Sequence, residues 1–434
     1  MRFCGLFSLL LAFVLLFSLC LVIQANAESA WTIQTVGIAA NGSTISIALD
    51  SNDIPHIAYI EYTNGEYRSL STNVTYASWN GSGWDIQTLD SGITGSLALD
   101  SFDNPHICYI DSTPASNLKY ASWTGTNWDN QTVDSSFLGS FQLDTNSLEL
   151  DSNNDPHVSY SKGNNLMYAS LTGSNWSIET VDSNSSIFFH HSSVSLDANN
   201  YPHMIYGDAV QVDGGTYVTL ANVKYAEWNG SSWSIQTVFP NVTSFGNIAL
   251  DSKGYPHFTY IIGSSLSYAG WDGSTWKSQI VDSNPTISSY PTGSCFLALD
   301  RQNNSHISYW RDPYQINSGS DSGLMHAYWT GSTWKIETVD NNGTSFGAGP
   351  IVSDSIGNLH IGYSSVHPGQ AVYYYVDIKY ATRTESTSAA QPSVTELIIL
   401  TVVLIIALLA LLAALKYGRR RARKTSQSVK GTGA

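Results

Sequence analysis

Ser96-Leu-Ala-Leu-Asp100, then Pro105-His-Ile-Cys-Tyr109, then Leu118-Lys-Tyr-Ala-Ser-Trp123, then Trp128-Asp-Asn-Gln-Thr-Val133 is the stretch on which the reading of the fold turns. Four short runs rich in aliphatic, β-branched and aromatic residues are separated by turn formers, so the unit reads as four strands, A to D. Its core, an aspartate followed six residues on by a histidine and three further by a tyrosine, occurs seven times. The copies are Asp50/His56/Tyr59, Asp100/His106/Tyr109, Asp151/His157/Tyr160, Asp197/His203/Tyr206, Asp251/His257/Tyr260, Asp300/His306/Tyr309 and Asp354/His360/Tyr363. Successive aspartates lie 46 to 54 residues apart, a period that suits one four-stranded blade per repeat and not a helical solenoid unit.

Alternation along the strands tells which faces are buried. The residue after each strand B histidine is apolar (Ile57, Ile107, Val158, Met204, Phe258, Ile307, Ile361) and shares its face with the tyrosine. The residue between them is small in six copies (Ala58, Cys108, Ser159, Thr259, Ser308, Gly362), with Ile205 the exception. Large faces against small faces let twisted sheets stack closely around an axis. The last repeat stops after Tyr380-Ala381 without a strand D, while Trp31-Thr-Ile-Gln-Thr-Val36 is an orphan strand D near the start. That strand is expected to complete the final sheet and remove a pair of exposed edges. The expectation is an all-β, seven-bladed β-propeller closed by its N-terminal strand, with one C-terminal transmembrane helix.

The pattern Leu-Asp-Ser-x-x-x-Pro-His-Ile-x-Tyr followed by Leu-x-Tyr-Ala-x-Trp-x-Gly-x-x-Trp resembles surface-anchored propeller proteins of archaea and bacteria. More distantly it is similar to NHL-type repeats and to the sialidase superfamily. The resemblance covers about residues 31 to 381 and implies a fold, not an activity. The turn Trp271-Asp-Gly-Ser-Thr-Trp276 is similar to the sialidase Asp box but lacks the Ser/Thr two before the aspartate.

Composition and the two ends indicate where the chain works. Charged residues are 12% and aromatic residues 12% of 434, the balance of many short strands joined by polar turns. Residues 6 to 23 are almost wholly apolar behind Arg2, and Ala25-Asn26-Ala27 supplies the small residues of a signal-peptidase site, so 1 to 27 reads as a signal peptide. Residues 28 to 383 form the ectodomain and 384 to 396 a stalk. Leu397 to Leu415 is an uncharged apolar run, followed by Lys416, Arg419, Arg420, Arg421, Arg423 and Lys424. By length and by the positive-inside rule it is expected to span a membrane once, with the 416 to 434 tail cytoplasmic and the propeller outside. A sorting signal cut before such a helix is the alternative layout. Eight of the 19 basic residues lie outside residues 28 to 396 while all 34 acidic ones lie within them, which disfavours nucleic acid and anionic membrane surfaces as partners. Ten sequons, at Asn41, Asn73, Asn80, Asn130, Asn175, Asn184, Asn229, Asn241, Asn303 and Asn342, are glycosylation candidates on a secreted surface.

Candidate chemistry is sparse. A catalytic site is needed once, whereas the aspartates and histidines recur in every repeat, so they read as bridges across each A to B hairpin, and no metal or cofactor is expected from them. Asp151-Ser-Asn153-Asn-Asp155 starts like a calcium loop but continues into Pro156-His157 where a glycine and a later carboxylate are wanted. A sialidase-like mechanism needs an arginine clamp, and the ectodomain offers only Arg68, Arg301, Arg311 and Arg383. Cys108 and Cys295 belong to distant repeats and read as separate buried thiols. From the strand B tyrosine to the strand C aromatic the separation is 17, 11, 8, 19, 8, 17 and 17 residues, and variable loops on a rigid ring are where recognition resides. The long loops of repeats 6, 7 and 1 gather Trp310, Arg311, Tyr314, Tyr373, Tyr374, Tyr375, Tyr62, Tyr67 and Arg68, a set suited to sugar rings or a protein hot spot. The leading expectation is therefore a non-enzymatic cell-surface adhesion module recognising glycan or protein. The alternatives are a surface glycoside hydrolase, which predicts a close carboxylate pair on the axis, and a structural envelope component.

Overall fold

The computed structural model describes residues 31–40, 44–62, 72–114, 116–135, 147–183, 188–212, 217–283, 295–311, 323–341, 345–366 and 375–384, with 413, 416, 417 and 420. The stretch Trp31–Thr384 is a compact unit by itself and is all-β, with antiparallel sheets in the arrangement of a β-propeller. The repeat beginning at Ser147 shows the pattern: Ser147–Leu150, Pro156–Lys162, Asn165–Thr172 and Asn175–Ser183 pair in chain order. Three later sheets follow the same order, starting at Phe188, Ser244 and Cys295.

Two junctions depart from separate four-strand units. Trp84–Leu99 runs as one strand of 16 residues, its first half paired to Thr72–Trp79 and its second to Pro105–Asp111, so the first two repeats share one seven-stranded sheet. The final sheet borrows its outer strand from the chain start. Thr32–Ala40 pairs antiparallel with Tyr375–Arg383 in the register Ile33 to Ala381 and Gln34 to Tyr380. The strand A segments lie innermost, each touching the next, and Ile351–Ser353 touches Ile45–Leu49 of the first repeat.

Packing between sheets follows the large-against-small alternation. Ala58, Val74 and Tyr76 of the first repeat enclose Leu97, Ile107 and Tyr109 of the second. At the return of the ring, Ile47, Ile57 and Tyr59 pack on Val36, Val376 and Ile378. Tyr59, Tyr109, Tyr160, Tyr206, Tyr309 and Tyr363 are among the largest fully buried side chains, and burying an aromatic of this kind is worth roughly 1.5–3 kcal/mol. Cys108 and Cys295 are buried free thiols.

Among the described residues no helix is long and apolar enough to cross a membrane. The expected signal peptide, the stalk after Thr384, the apolar run 397 to 415 and the tail lie outside the described residues, save Ala413, Lys416, Tyr417 and Arg420, which are helical and exposed.

Candidate functional site

The repeated aspartate first of all caps a turn. Oδ1 of Asp100 accepts the backbone N–H groups of Phe102 (2.9 Å) and Asn104 (2.7 Å), and Asp50, Asp151, Asp197, Asp251, Asp300 and Asp354 do the same in their turns. The other oxygen faces the imidazole Nε2 six residues on, at 3.5 to 3.9 Å for His56, His106, His157, His203, His257, His306 and His360. Asp151 thus spends its oxygens on amides and His157, not on a calcium-loop geometry. The imidazole Nδ1 meets the strand C tyrosine hydroxyl in six repeats, at 2.5 Å in His203–Tyr225 and His360–Tyr380 and 2.6 Å in His257–Tyr268. His56–Tyr76, His106–Tyr120 and His157–Tyr168 are the corresponding pairs. Burial pulls the pKa of these six histidines below its ordinary value, against the opposing pull of the aspartate.

Two further ties were not foreseen, and both run between repeats. The residue three after the aspartate has a positive φ, between 62° and 67° for Asp53, Asp103, Asn154, Asn200 and Asn303. Its side chain reaches the serine that follows the aspartate in the preceding repeat. Ser101 N–H donates to Asn154 Oδ1 at 2.8 Å and Asn154 Nδ2 donates to Ser101 Oγ at 2.9 Å. Ser51–Asp103, Ser152–Asn200, Ser252–Asn303 and, returning to the start, Ser355–Asp53 are built alike. On the opposite face, the aspartate ending strand D accepts from the strand B tyrosine of the next repeat: Tyr109 to Asp90, Tyr160 to Asp134, Tyr206 to Asp182, Tyr309 to Asp282 and Tyr363 to Asp340, at 2.6 to 2.9 Å. Lys162, Lys224, Arg311 and Lys379 add a cation to four of these carboxylates.

The expected recognition patch is placed differently from its sequence reading. Trp310 is only 6% exposed and packs with Leu324, Ile361 and Tyr363. Arg311 is 7% exposed and is held by Asp282 and Tyr309. Both lie inside a seam because strand B continues through them, so neither is an open platform. Tyr62 and Tyr375 end strands, opposite Thr72 and Ala40. Tyr67, Arg68, Tyr314, Tyr373 and Tyr374 lie outside the described residues. Of the sequons, Asn80 and Asn229 accept backbone N–H groups of their own turns, and Asn303 holds the seam to Ser252. Asn130, Asn175 and Asn241 are exposed and Asn73 is half-buried, while Asn41, Asn184 and Asn342 lie outside the described residues.

One carboxylate breaks the repeat and was missed. Glu149, two residues before Asp151 on an innermost strand, stands where the other copies have Ala48, Ala98, Ser195, Ala249, Ala298 and Val352. Those small residues fill the cores between sheets; Glu149 takes such a place with no hydrogen-bond or ionic partner among the described residues, and burial pushes its carboxyl up to about 7. It is partly buried on the innermost strand of its sheet. An alignment of the repeats against one another exposes it as the acidic residue in a column of small ones. Among the described residues no second carboxylate contributes to its shift. Among the described residues no group of three His, Cys, Asp or Glu side chains is placed to hold a metal ion.

No family model matches the sequence, and no curated protein matches it. Solved structures do resemble the fold. An ulvan lyase from a new family of polysaccharide lyases, bound to -[GlcA(1-4)Rha3S]-, aligns with a TM-score of 0.54 at 11% identity over 79% of this chain and 94% of its own. A Penicillium chrysogenum α-L-arabinanase with arabinobiose aligns at 0.46 and 9% identity over 82% of this chain and 98% of its own. A Fusarium graminearum α-L-arabinofuranosidase with arabinobiose aligns at 0.45 and 10% identity over 82% and 96%. At such identities the likeness is one of fold, a β-propeller.

Proposed function

We propose that this chain is a glycan-processing, seven-bladed β-propeller of the cell exterior, anchored by the apolar run 397 to 415. The observation that carries the reading is Glu149: the acid in a column of small residues, without a partner among the described residues, its carboxyl raised by burial to about 7. A carboxyl that titrates near neutrality can both take and give a proton at working pH, which is the property wanted of a general acid or base. The saccharide in the ulvan lyase structure supports a carbohydrate as substrate class. One carboxyl can take the C5 proton beside the uronate carboxylate and give a proton to the departing O4 as the C4=C5 double bond forms, whereas hydrolysis needs a second carboxylate, and none stands beside Glu149 among the described residues. Elimination from a uronate-containing polysaccharide is therefore the preferred reaction class. The seven-fold count is supported by the seven turn caps and by the return of Ser355 to Asp53.

Adhesion without turnover is the second reading. It is favoured because every repeated Asp, His and Tyr is committed to holding the ring, leaving the variable loops for recognition. The test is a polysaccharide panel offered to the full chain in detergent, followed by both binding and the ultraviolet absorbance of unsaturated uronate products. Turnover abolished by Glu149→Gln supports processing at this site. Binding without turnover returns the protein to the adhesin reading, and turnover indifferent to Glu149→Gln moves the chemistry elsewhere. Silence in both channels removes carbohydrate as the ligand class.

A further inference from the structure

The chain leaves the propeller at one identifiable face. In the last repeat Leu359, which opens strand B, pairs with Arg383, which ends strand C, so the exit lies beside the A to B turn that runs from Asp354 to Asn358. Thr32 of the opening strand pairs with Thr382 at the same edge. The turns of the next two repeats are fastened to this one in series, Ser355 to Asp53 and Ser51 to Asp103. Turns 354–358, 50–54 and 100–104 therefore form one arc of a single face, and the chain exits at the end of that arc.

The tips of this arc depart from the other repeats. Two residues after each aspartate the backbone N–H donates into the turn and the side chain is left at the tip, where five copies carry the polar Asn52, Asn153, Asn199, Lys253 and Gln302. The second and seventh copies carry Phe102 and Ile356 there. At 78% and 68% exposure they are the most exposed large apolar side chains described in the propeller. A scattered apolar group on a surface is ordinary. Two at the same turn position, on turns separated only by that of Asn52 and beside the exit, make a directed apolar edge.

Residues 384 to 396, 13 in number, separate this face from the apolar run 397 to 415. A chain of that length reaches at most ~45 Å when fully extended, and as a polar linker it keeps its ends about 20 Å apart. With the run in a bilayer, the exit face is thus tethered close to lipid. We propose that the A to B turn face docks on the outer lipid surface, Phe102 and Ile356 entering its interfacial layer. The inference rests on the anchor in the proposed function. Insertion of apolar tips suits a zwitterionic surface, since the acidic ectodomain would be repelled by an anionic one. The docked orientation turns the B to C and D to A loops away from the membrane, so that a polysaccharide arriving from outside meets the variable loops first.

The experiment uses the full chain reconstituted in phosphatidylcholine nanodiscs, with Phe102, Ile356 or Ser112 replaced in turn by the photo-crosslinking residue p-benzoylphenylalanine. Ser112 is exposed and follows strand Pro105–Asp111, which places it about 20 Å from the turn of Phe102 at the rise of a strand. Irradiation should give phospholipid adducts, read by mass spectrometry, at 102 and 356 and not at 112. A fourth probe at Asn52 should also give adducts, and they should be lost when Phe102→Ser and Ile356→Ser are combined, two exposed changes that leave the core intact. Adducts at 112 matching those at 102 and 356, or none at 102 and 356, overturn the docking. An Asn52 signal unchanged in the double variant overturns it too, because the tether alone would then hold the face near lipid. Failure of the chain to elute with the nanodiscs refutes the anchor itself, and the docking with it.

Discussion

Replacing Arg311 by alanine separates a recognition residue from a structural one. Arg311 and Asp282 are both under 10% exposed, and the carboxylate also accepts from Tyr309 at 2.7 Å. Removing the guanidinium takes from Asp282, a buried anion, the cation that Arg311 supplies. Breaking a buried pair from one side costs about 3–5 kcal/mol, more than the pair itself contributes, because the remaining charge is uncompensated. Arg311→Lys should cost far less, since Lys162 makes the same contact from the same position relative to its tyrosine, 2.6 Å from Asp134. Arg311→Ala combined with Asp282→Asn should recover part of the loss by discharging the stranded group. Denaturant unfolding of the full chain, followed by tryptophan fluorescence, reads all three. A loss below about 1 kcal/mol for Arg311→Ala, the range of an exposed ion pair, would refute the buried-pair reasoning and return Arg311 to the surface role its sequence context suggested.

Three further outcomes follow from the same physical arguments. Ala198→Ser with Gly254→Asn should install the missing serine–asparagine tie and raise stability by about 1 kcal/mol, because Gly254 has φ +78°, a region asparagine tolerates, and a Cβ there meets nothing closer than 3.9 Å; no gain in denaturant midpoint would count against the tie. The histidines of six repeats stay neutral in the fold, so their contribution is full above the ordinary value of 6.5 and is lost as pH falls below it, when the unfolded chain takes up protons that the folded chain refuses; the denaturant midpoint should fall on acidification, and a midpoint indifferent between pH 7 and 5 would contradict it. Burial raises the Cys108 thiol far above its usual range and Cys295 to about 12, so neither should react with a thiol reagent until the chain is unfolded; rapid labelling of the native protein would show the seams open.

Much of the fold was legible because its signals are local and repeated. The Asp–His–Tyr spacing marks the A to B hairpin, and the orphan Trp31 to Val36 strand pairs with Tyr375–Arg383 as its sequence suggests. The site was less legible for the same reason. Trp310 and Arg311 follow the strand B tyrosine directly and were read as loop residues, yet the strand runs on through Arg311 and takes both into the seam. Ties between Ser101 and Asn154, or Tyr160 and Asp134, join residues 53 and 26 positions apart. They belong to no motif visible within one repeat, and only the stacking of consecutive sheets brings them together.

Where the repeats deviate, they deviate in pairs, and this separates structural positions from functional ones. The seam tie needs both a serine and a side chain on the left-handed residue. In the two seams that lack the serine, at Ala198 and Arg301, the facing position is Gly254 and Gly357. The loss of one partner removes the advantage of an amide there, and glycine then suits the positive φ best. The strand D carboxylate behaves likewise: where Asp is absent, Phe239 stacks on Tyr260 at 4.5 Å, and Gly37 leaves room for the Tyr59 hydroxyl, which would lie 2.5 Å from a Cβ there. Each of these exchanges has a compensating partner, the mark of a position held for architecture. Glu149 has none among the described residues: no neighbour there neutralises it or donates to it, and the acid sits partly buried in a column of small residues. A cost left uncompensated in an otherwise self-correcting ring is what the proposed role of Glu149 in glycan processing would account for.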